Sequence, residues 1–267
     1  MTLDFLRPYK AKRKIRIGKS KDGGYVVEES SLKNVDVIYS YGVGWDVSFE
    51  LAILKKINKT CRIFDPTIGL SNFSNHGYIK GKGTYYLFKY FVATILWEPY
   101  LYLHKAIGYK IKYYKEGLGI EKAGKYDSFP NHLKRFNDEG KNIFLKIDID
   151  GGEYEVFQNQ GFLDSMEKVV QLAVEFHNVK DRLTELKTII ESLNKQLTLV
   201  HIHANNWGGS FEYNGKQIPN VLELTFLSNK LLSEKEFDTA DYPIDGLDFP
   251  NNPTLPEIKL SQFTNRF

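Results

Sequence analysis

Between residues 35 and 226, short apolar runs alternate with stretches of helical spacing, and this alternation limits the fold more than any other feature of the chain. The runs cover residues 35–39, 61–64, 110–114, 143–149, 172–176, 199–202 and 221–226, while 49–57 and 181–193 carry helical apolar spacing. Parallel neighbours in a sheet need crossover connections. This order therefore predicts a doubly wound α/β fold, a mostly parallel sheet with helices on both faces. Ahead of it, alternating residues at 14–18 and 25–28 flank the turn signal Asp22-Gly23-Gly24 and predict an N-terminal hairpin. The expected division is a hairpin extension over 1–34, a main domain over 35–232 and a surface tail over 233–267 rich in Pro, Asp and Asn.

One segment, 69–105, breaks the rhythm with the run TYYLFKYFVATILWEPYLYL and is expected to be an aromatic helical insertion. Lys89, Glu98 and Pro99 interrupt it, so it falls short of the ~20 consecutive apolar residues of a membrane span, and no transmembrane segment is expected. A buried aromatic helix, a homodimer surface, interfacial contact and an acceptor-site lid all suit its composition.

With 42% hydrophobic and 26% charged residues in 267, the chain can bury a core without covalent staples. Its single cysteine, Cys61, excludes an internal disulfide, and there is no C-x-x-C pair for a thiolate metal or redox site. The charged N-terminus lacks the apolar centre of a secretory signal, so a cytoplasmic location is expected. A net charge of +3 gives no reason to expect a nucleic-acid partner. The basic stretch 10–21 reads as a solvated strand edge or as a surface for an anion such as a nucleotide diphosphate.

The chemistry-bearing residues fall at the predicted strand ends. In VIYSYGVGWDVSFE, Gly42 and Gly44 follow Tyr41 between a strand and a helix, where small residues admit a ligand to the backbone. Asp46 or Ser48 could cap that helix. The full G-x-G-x-x-G pattern is absent. Asp65 ends the next strand, where doubly wound folds place a carboxylate on the ribose of a nucleoside; a turn-forming Asp-Pro is the plainer explanation. In LKIDIDGGEYEVF, Asp148 and Asp150 are expected on one side of a strand that turns through Gly151-Gly152 into a helix begun by Glu153. Lys146 shares that side, so an ion-pair network competes with a functional reading. Glu175, His177, His201, His203, Asn205 and Asn206 join them on later strand ends, at the edge where open α/β folds bind ligands. Asp150, His177 and His203 together would form a mixed O/N site for Mg, Mn or Fe(II).

Taken together, RIGKSKDGGYVV, SYGVGWDVSFE, FDPT, LKIDIDGGEYEVF, EFH, HIHANN and PNVLELTFL resemble the FkbM-type family of class I S-adenosylmethionine-dependent methyltransferases, across most of 16–227. The resemblance rests chiefly on IDIDGGEYEVF, similar to that family's I-D-[VI]-[ED]-G-x-E signature. It implies a Rossmann-like, seven-stranded sheet with a reversed final hairpin. It further implies S-adenosylmethionine held at Tyr41, Gly42, Gly44, Asp65 and Asp148, and an acceptor hydroxyl near Asp150. Some members are similar to bacterial enzymes that decorate capsule or lipopolysaccharide sugars, so O-methylation of a sugar or nucleotide-sugar is the expected reaction. Asp150, Glu175 and His203 then supply the base, directly or through a metal. Two other classes use parts of the same pattern. A nicotinamide-dependent oxidoreductase would share the strand-turn-helix and the ribose carboxylate but calls for the missing glycines. A non-catalytic nucleotide-sugar-binding module leaves the His and carboxylate cluster without a purpose.

Overall fold

The computed structural model describes residues 2–69, 84–232, 235–260 and 263. A hairpin of β1 (Lys14–Gly18) and β2 (Gly24–Glu28) precedes the central sheet. The chain then runs β3 (Val37–Tyr41), α1 (Ser48–Ile57), β4 (Thr60–Phe64), α2 (Thr84–Ala106) and β5 (Ile111–Tyr114). After a minor pair, β6 (Gly117–Gly119) and β7 (Tyr126–Ser128), come α3 (Phe129–Arg135), β8 (Ile143–Ile147), α4 (Glu153–Gln158) and α5 (Gln160–Asp164). The last part holds β9 (Val169–Phe176), α6 (Val179–Leu193), β10 (Leu197–Ala204), the small hairpin β11 (Ser210–Tyr213) and β12 (Lys216–Pro219), and β13 (Leu222–Ser228).

Seven strands form the central sheet in the order β5-β4-β3-β8-β9-β13-β10. Every pairing from β5 to β9 is parallel, whereas β13 is antiparallel to both β9 and β10. This is a doubly wound arrangement: the chain starts in mid-sheet, winds outward in both directions, and sets a single reversed strand, β13, between β9 and β10. The expected strands all form, and β3 is displaced by two residues toward its glycines.

Alternation along each strand sends side chains to opposite faces. One face packs Tyr39, Tyr41, Phe64, Leu145 and Phe176 against Phe129, Tyr154, Phe157 and Leu186 from the helices. The other packs Ile38, Ile63, Phe144 and Ala173 against Phe49, Ile53 and Leu54 of α1, and against Tyr25 and Val27 of the hairpin. Because β2 is buried at all five positions, the hairpin is part of the second layer. It is tied to the sheet by Thr225 Oγ1 donating to Val26 O at 2.6 Å and by Gln171 Oε1 accepting from Glu28 N at 2.6 Å.

The described residues of the tail are bonded to the body at several points. Lys14 pairs with Asp238, Lys10 with Glu236, and Asn206 Nδ2 donates to the main-chain oxygens of Asn252, Leu255 and Pro256. These pairs, with Arg13–Glu29 and Lys19–Asp46, absorb most of the basic stretch 10–21 internally. Within the expected insertion, residues 70–83 lie outside those described, and α2 accounts for nearly all of the rest. No helix among the described residues is long and apolar enough to cross a membrane.

Candidate active site

The strand registers align the predicted residues in one row. His203 of β10 lies opposite Glu223 of β13, and Glu223 lies opposite Glu175 of β9. One step beyond Val174↔Ile147, Ile147↔Tyr41 and Tyr41↔Phe64, the row continues through Asp148, Gly42 and Asp65. Six chemistry-bearing positions thus line one edge of six adjacent strands, the carboxyl edge of all but the reversed β13, where an open α/β sheet binds ligands.

The first half of the row is a backbone cradle. Gly42 adopts φ +71°, and a Cβ there would stand 1.6 Å from Asp148 O, so only glycine lets β3 and β8 approach this closely. Gly44, at φ +53°, has nothing within 4 Å of its would-be Cβ and leaves the turn open. Asp65 is buried; its Oδ2 accepts from Val43 N and Gly44 N at 3.1 and 2.8 Å, and its Oδ1 from Thr67 N and Oγ1 at 2.7 and 2.5 Å. With roughly four lone-pair positions on a carboxylate, these donors fill it, and a ribose would have to exchange with some of them. Tyr41 sends its side chain to the opposite face, where its hydroxyl meets His132 Nδ1 at 2.8 Å; only its main chain reaches the edge. Asp46 stands one residue before the N-cap Val47 of the following helix, and its Oδ1 accepts from Ser48 N at 2.9 Å.

The second half is a charged network. Asp148 Oδ2 accepts from the hydroxyl of Tyr25 at 3.1 Å and from Lys146 Nζ at 3.4 Å; Lys146 also donates to Gly42 O at 2.5 Å. Burial works against the Lys146 ammonium, but Asp148, Glu50 and Glu175 outweigh it and keep it charged. Glu175 Oε1 takes Asn205 Nδ2 at 3.2 Å and His177 Nε2 at 3.1 Å, while Oε2 takes no hydrogen bond from the described residues. Burial, reinforced by Asp148, raises Glu175 to about 8, even against the pull of His177. His177 is held as imidazolium despite burial, because Glu153 and Glu175 grip both ring nitrogens and raise it to about 11. Glu153 is positioned in turn by the amides of Ile149 and Gly151. The network opens to solvent at Asp148 and His177, whose side chains are 28% and 18% exposed.

Two sequence expectations need correction. Strand β8 stops at Ile147, and Asp150 sits beyond it at φ +54°, so the strand alternation no longer aligns it with Asp148. Its side chain is 85% exposed and 3.8 Å from His177 Nε2. His203 does not join Asp150 and His177, because β13 intervenes. Its Nδ1 meets Glu223 at 2.9 Å and its Nε2 meets Glu257 of the tail at 3.2 Å, and these carboxylates raise it to about 10 despite burial. His201 is likewise engaged, with Nε2 on Asp248 at 2.8 Å, and Asn206 holds the tail. Among the described residues, the groups that could share a cation are Asp148, Glu175 and His177, whose ligand atoms lie within 4.8 Å of one another.

Tyr25, Glu223 and the tail carboxylates Asp248 and Glu257 are the site neighbours that sequence reasoning missed. Tyr25 had a signal, since it directly follows the hairpin turn; the tail residues had none.

No family model matches the chain, and no curated protein matches it. Among solved structures, it is similar to a precorrin-6y C5,15-methyltransferase from Geobacter metallireducens GS-15, at 11% identity and TM-score 0.36 over 74% of this chain and 85% of that one. It is also similar to the METTL16 MTase domain, at 9% identity and TM-score 0.38 over 74% and 62% of the two chains. A third is the 16S rRNA (adenine(1408)-N(1))-methyltransferase from Catenulisporales acidiphilia, at 6% identity and TM-score 0.34 over 81% and 98%.

Proposed function

We propose that the chain is an S-adenosylmethionine-dependent O-methyltransferase acting on a sugar hydroxyl. The observation that carries this reading is the division of the single strand-end row into an open glycine turn with a ribose-type carboxylate, Gly42–Gly44 and Asp65, and an adjoining acid–base cluster, Asp148, Glu175 and His177. The first half suits a nucleoside cosubstrate and the second an acceptor hydroxyl. A nicotinamide enzyme would want the glycine pattern that is missing, and a binding module would have no use for a carboxyl raised into the neutral range.

In this reading Glu175 is the general base. Its raised affinity for a proton matches the task of taking one from a hydroxyl near neutrality, and Oε2 is the atom left open to do so. The positive sulfur of the cosubstrate needs no acid on its leaving group, so the rest of the work is positioning. His177 orients Glu175 and balances the charge of its carboxylate until the proton arrives. Asp148 and the exposed Asp150 offer hydrogen-bond acceptors to further hydroxyls of a sugar at the mouth. His203 acts at one remove, fastening the tail across Glu223. The basic stretch is largely spent on internal pairs, which favours the sugar itself over a diphosphate as the recognised part.

A divalent ion at Asp148, Glu175 and His177 is the second reading, favoured by their convergence. The imidazolium of His177 argues against it, since that proton already supplies the positive charge and would have to leave first.

Asp65 tests the cosubstrate half. Asp65→Ala should weaken S-adenosylmethionine binding by about 2–3 kcal/mol in calorimetry, the scale for hydrogen bonds to a charged group. Since Asp65 also ties down Val43 and Gly44, the melting temperature is to be compared as well. Unchanged affinity in the folded variant would remove Asp65 from the site.

A further inference from the structure

α2 carries a broad apolar face that the described residues leave exposed. Over Thr84–Ala106, the helix turns Trp97 and Leu101 into the core, with Trp97 edge-on to Tyr113 at 5.6 Å. It is fastened to the glycine turn by Trp45, whose Nε1 donates to Thr94 Oγ1 at 3.0 Å and whose ring lies 5.0 Å from that of Tyr90. At 100° per residue, the opposite side presents Phe88, Ile95, Leu96, Tyr102 and Leu103, continued by Ile107 past the helix end. These side chains are between 48% and 75% exposed. An apolar, aromatic stripe along a helix of about 34 Å is far larger than the scattered exposed hydrophobics of an ordinary surface.

The charges around the stripe indicate its occupant. Lys89 and Lys105 are exposed on the two flanks of the helix and Lys110 just beyond it, against the single acid Glu98 between 84 and 110. A second copy docked on a two-fold axis would set this positive border against itself. An anionic bilayer complements it, with lysines at the headgroups and the aromatic and aliphatic side chains in the acyl boundary. We propose that α2 is an interfacial anchor that seats the protein on an anionic lipid surface without crossing it. The proposal does not depend on the methyl-transfer reading.

The test uses the full chain and sedimentation with vesicles of phosphatidylcholine, with and without one-third phosphatidylglycerol. Binding is expected to the mixed vesicles and to fall steeply with salt. Leu96→Glu combined with Leu103→Glu should abolish it, while circular dichroism and the melting temperature stay those of the parent, since both positions face outward. Lys105→Gln and Lys110→Gln should each weaken it about fivefold, the effect of one lysine at an anionic surface. Equal binding to both vesicle types would overturn the charge argument. Absence of vesicle binding would overturn the proposal; if the glutamate variant then converts a dimer to a monomer in ultracentrifugation, the face belongs to a second copy.

Discussion

Glu175→Gln should lower methyl transfer by about 10²–10⁴-fold, the usual contribution of a positioned general base, while S-adenosylmethionine affinity stays within about tenfold. The amide keeps the shape of the carboxyl and its contact with Asn205, so the loss reports the proton and not the fold. The pH dependence follows from the same group. Burial and Asp148 raise Glu175 to about 8, so the basic form, and with it the rate, should grow as pH rises toward 8 and level off above it. His177, raised to about 11, stays charged across that range and adds no second limb below it. A wild-type profile flat from pH 6 to 9 with measured chemistry rate-limiting would exclude Glu175 as the base, as would an active glutamine variant.

Gly42→Ala should destabilise the whole domain, by roughly 2–4 kcal/mol. The left-handed backbone at φ +71° is costly for any L side chain, and the new methyl would press on the main-chain oxygen of Asp148 at 1.6 Å, where no flexible end can move aside. Relief requires the ends of β3 and β8 to separate, which moves Asp148 out of the row. Gly44→Ala is the matched control: its φ is +53° but nothing lies within 4 Å, so only about 1–2 kcal/mol of backbone cost should appear. Equal melting temperatures for the two variants would show that the close approach of the strands is not what Gly42 serves.

The strand-and-helix alternation was enough to predict the sheet because the runs are mostly apolar or aromatic and helical spacing separates several of them. β3 and β8 shifted at their ends because a strand boundary depends on where pairing stops, and pairing partners are distant in sequence. Asp150 was misplaced for a local reason: alternation was carried past Ile147, whereas the chain turns left-handed at Asp150. His203 was misplaced for a global one. Nothing in the order of the runs says that β13 lies between β9 and β10, nor that Glu257, 54 residues on, occupies the free ring nitrogen. Tyr41 was readable, since it shares parity with Val37 and Tyr39, and all three face the helices of the first layer.

The central claim is tested most directly by incubating the protein with S-adenosylmethionine and a panel of sugars and nucleotide sugars, with and without a chelator, and reading the products by mass spectrometry. The account predicts S-adenosylhomocysteine together with an acceptor heavier by one methylene, and the same yield after chelation. Formation of product only when a divalent ion is restored would move the chemistry to a metal at Asp148, Glu175 and His177. Failure to bind S-adenosylmethionine at all, with a nicotinamide cofactor bound in its place, would contradict the account.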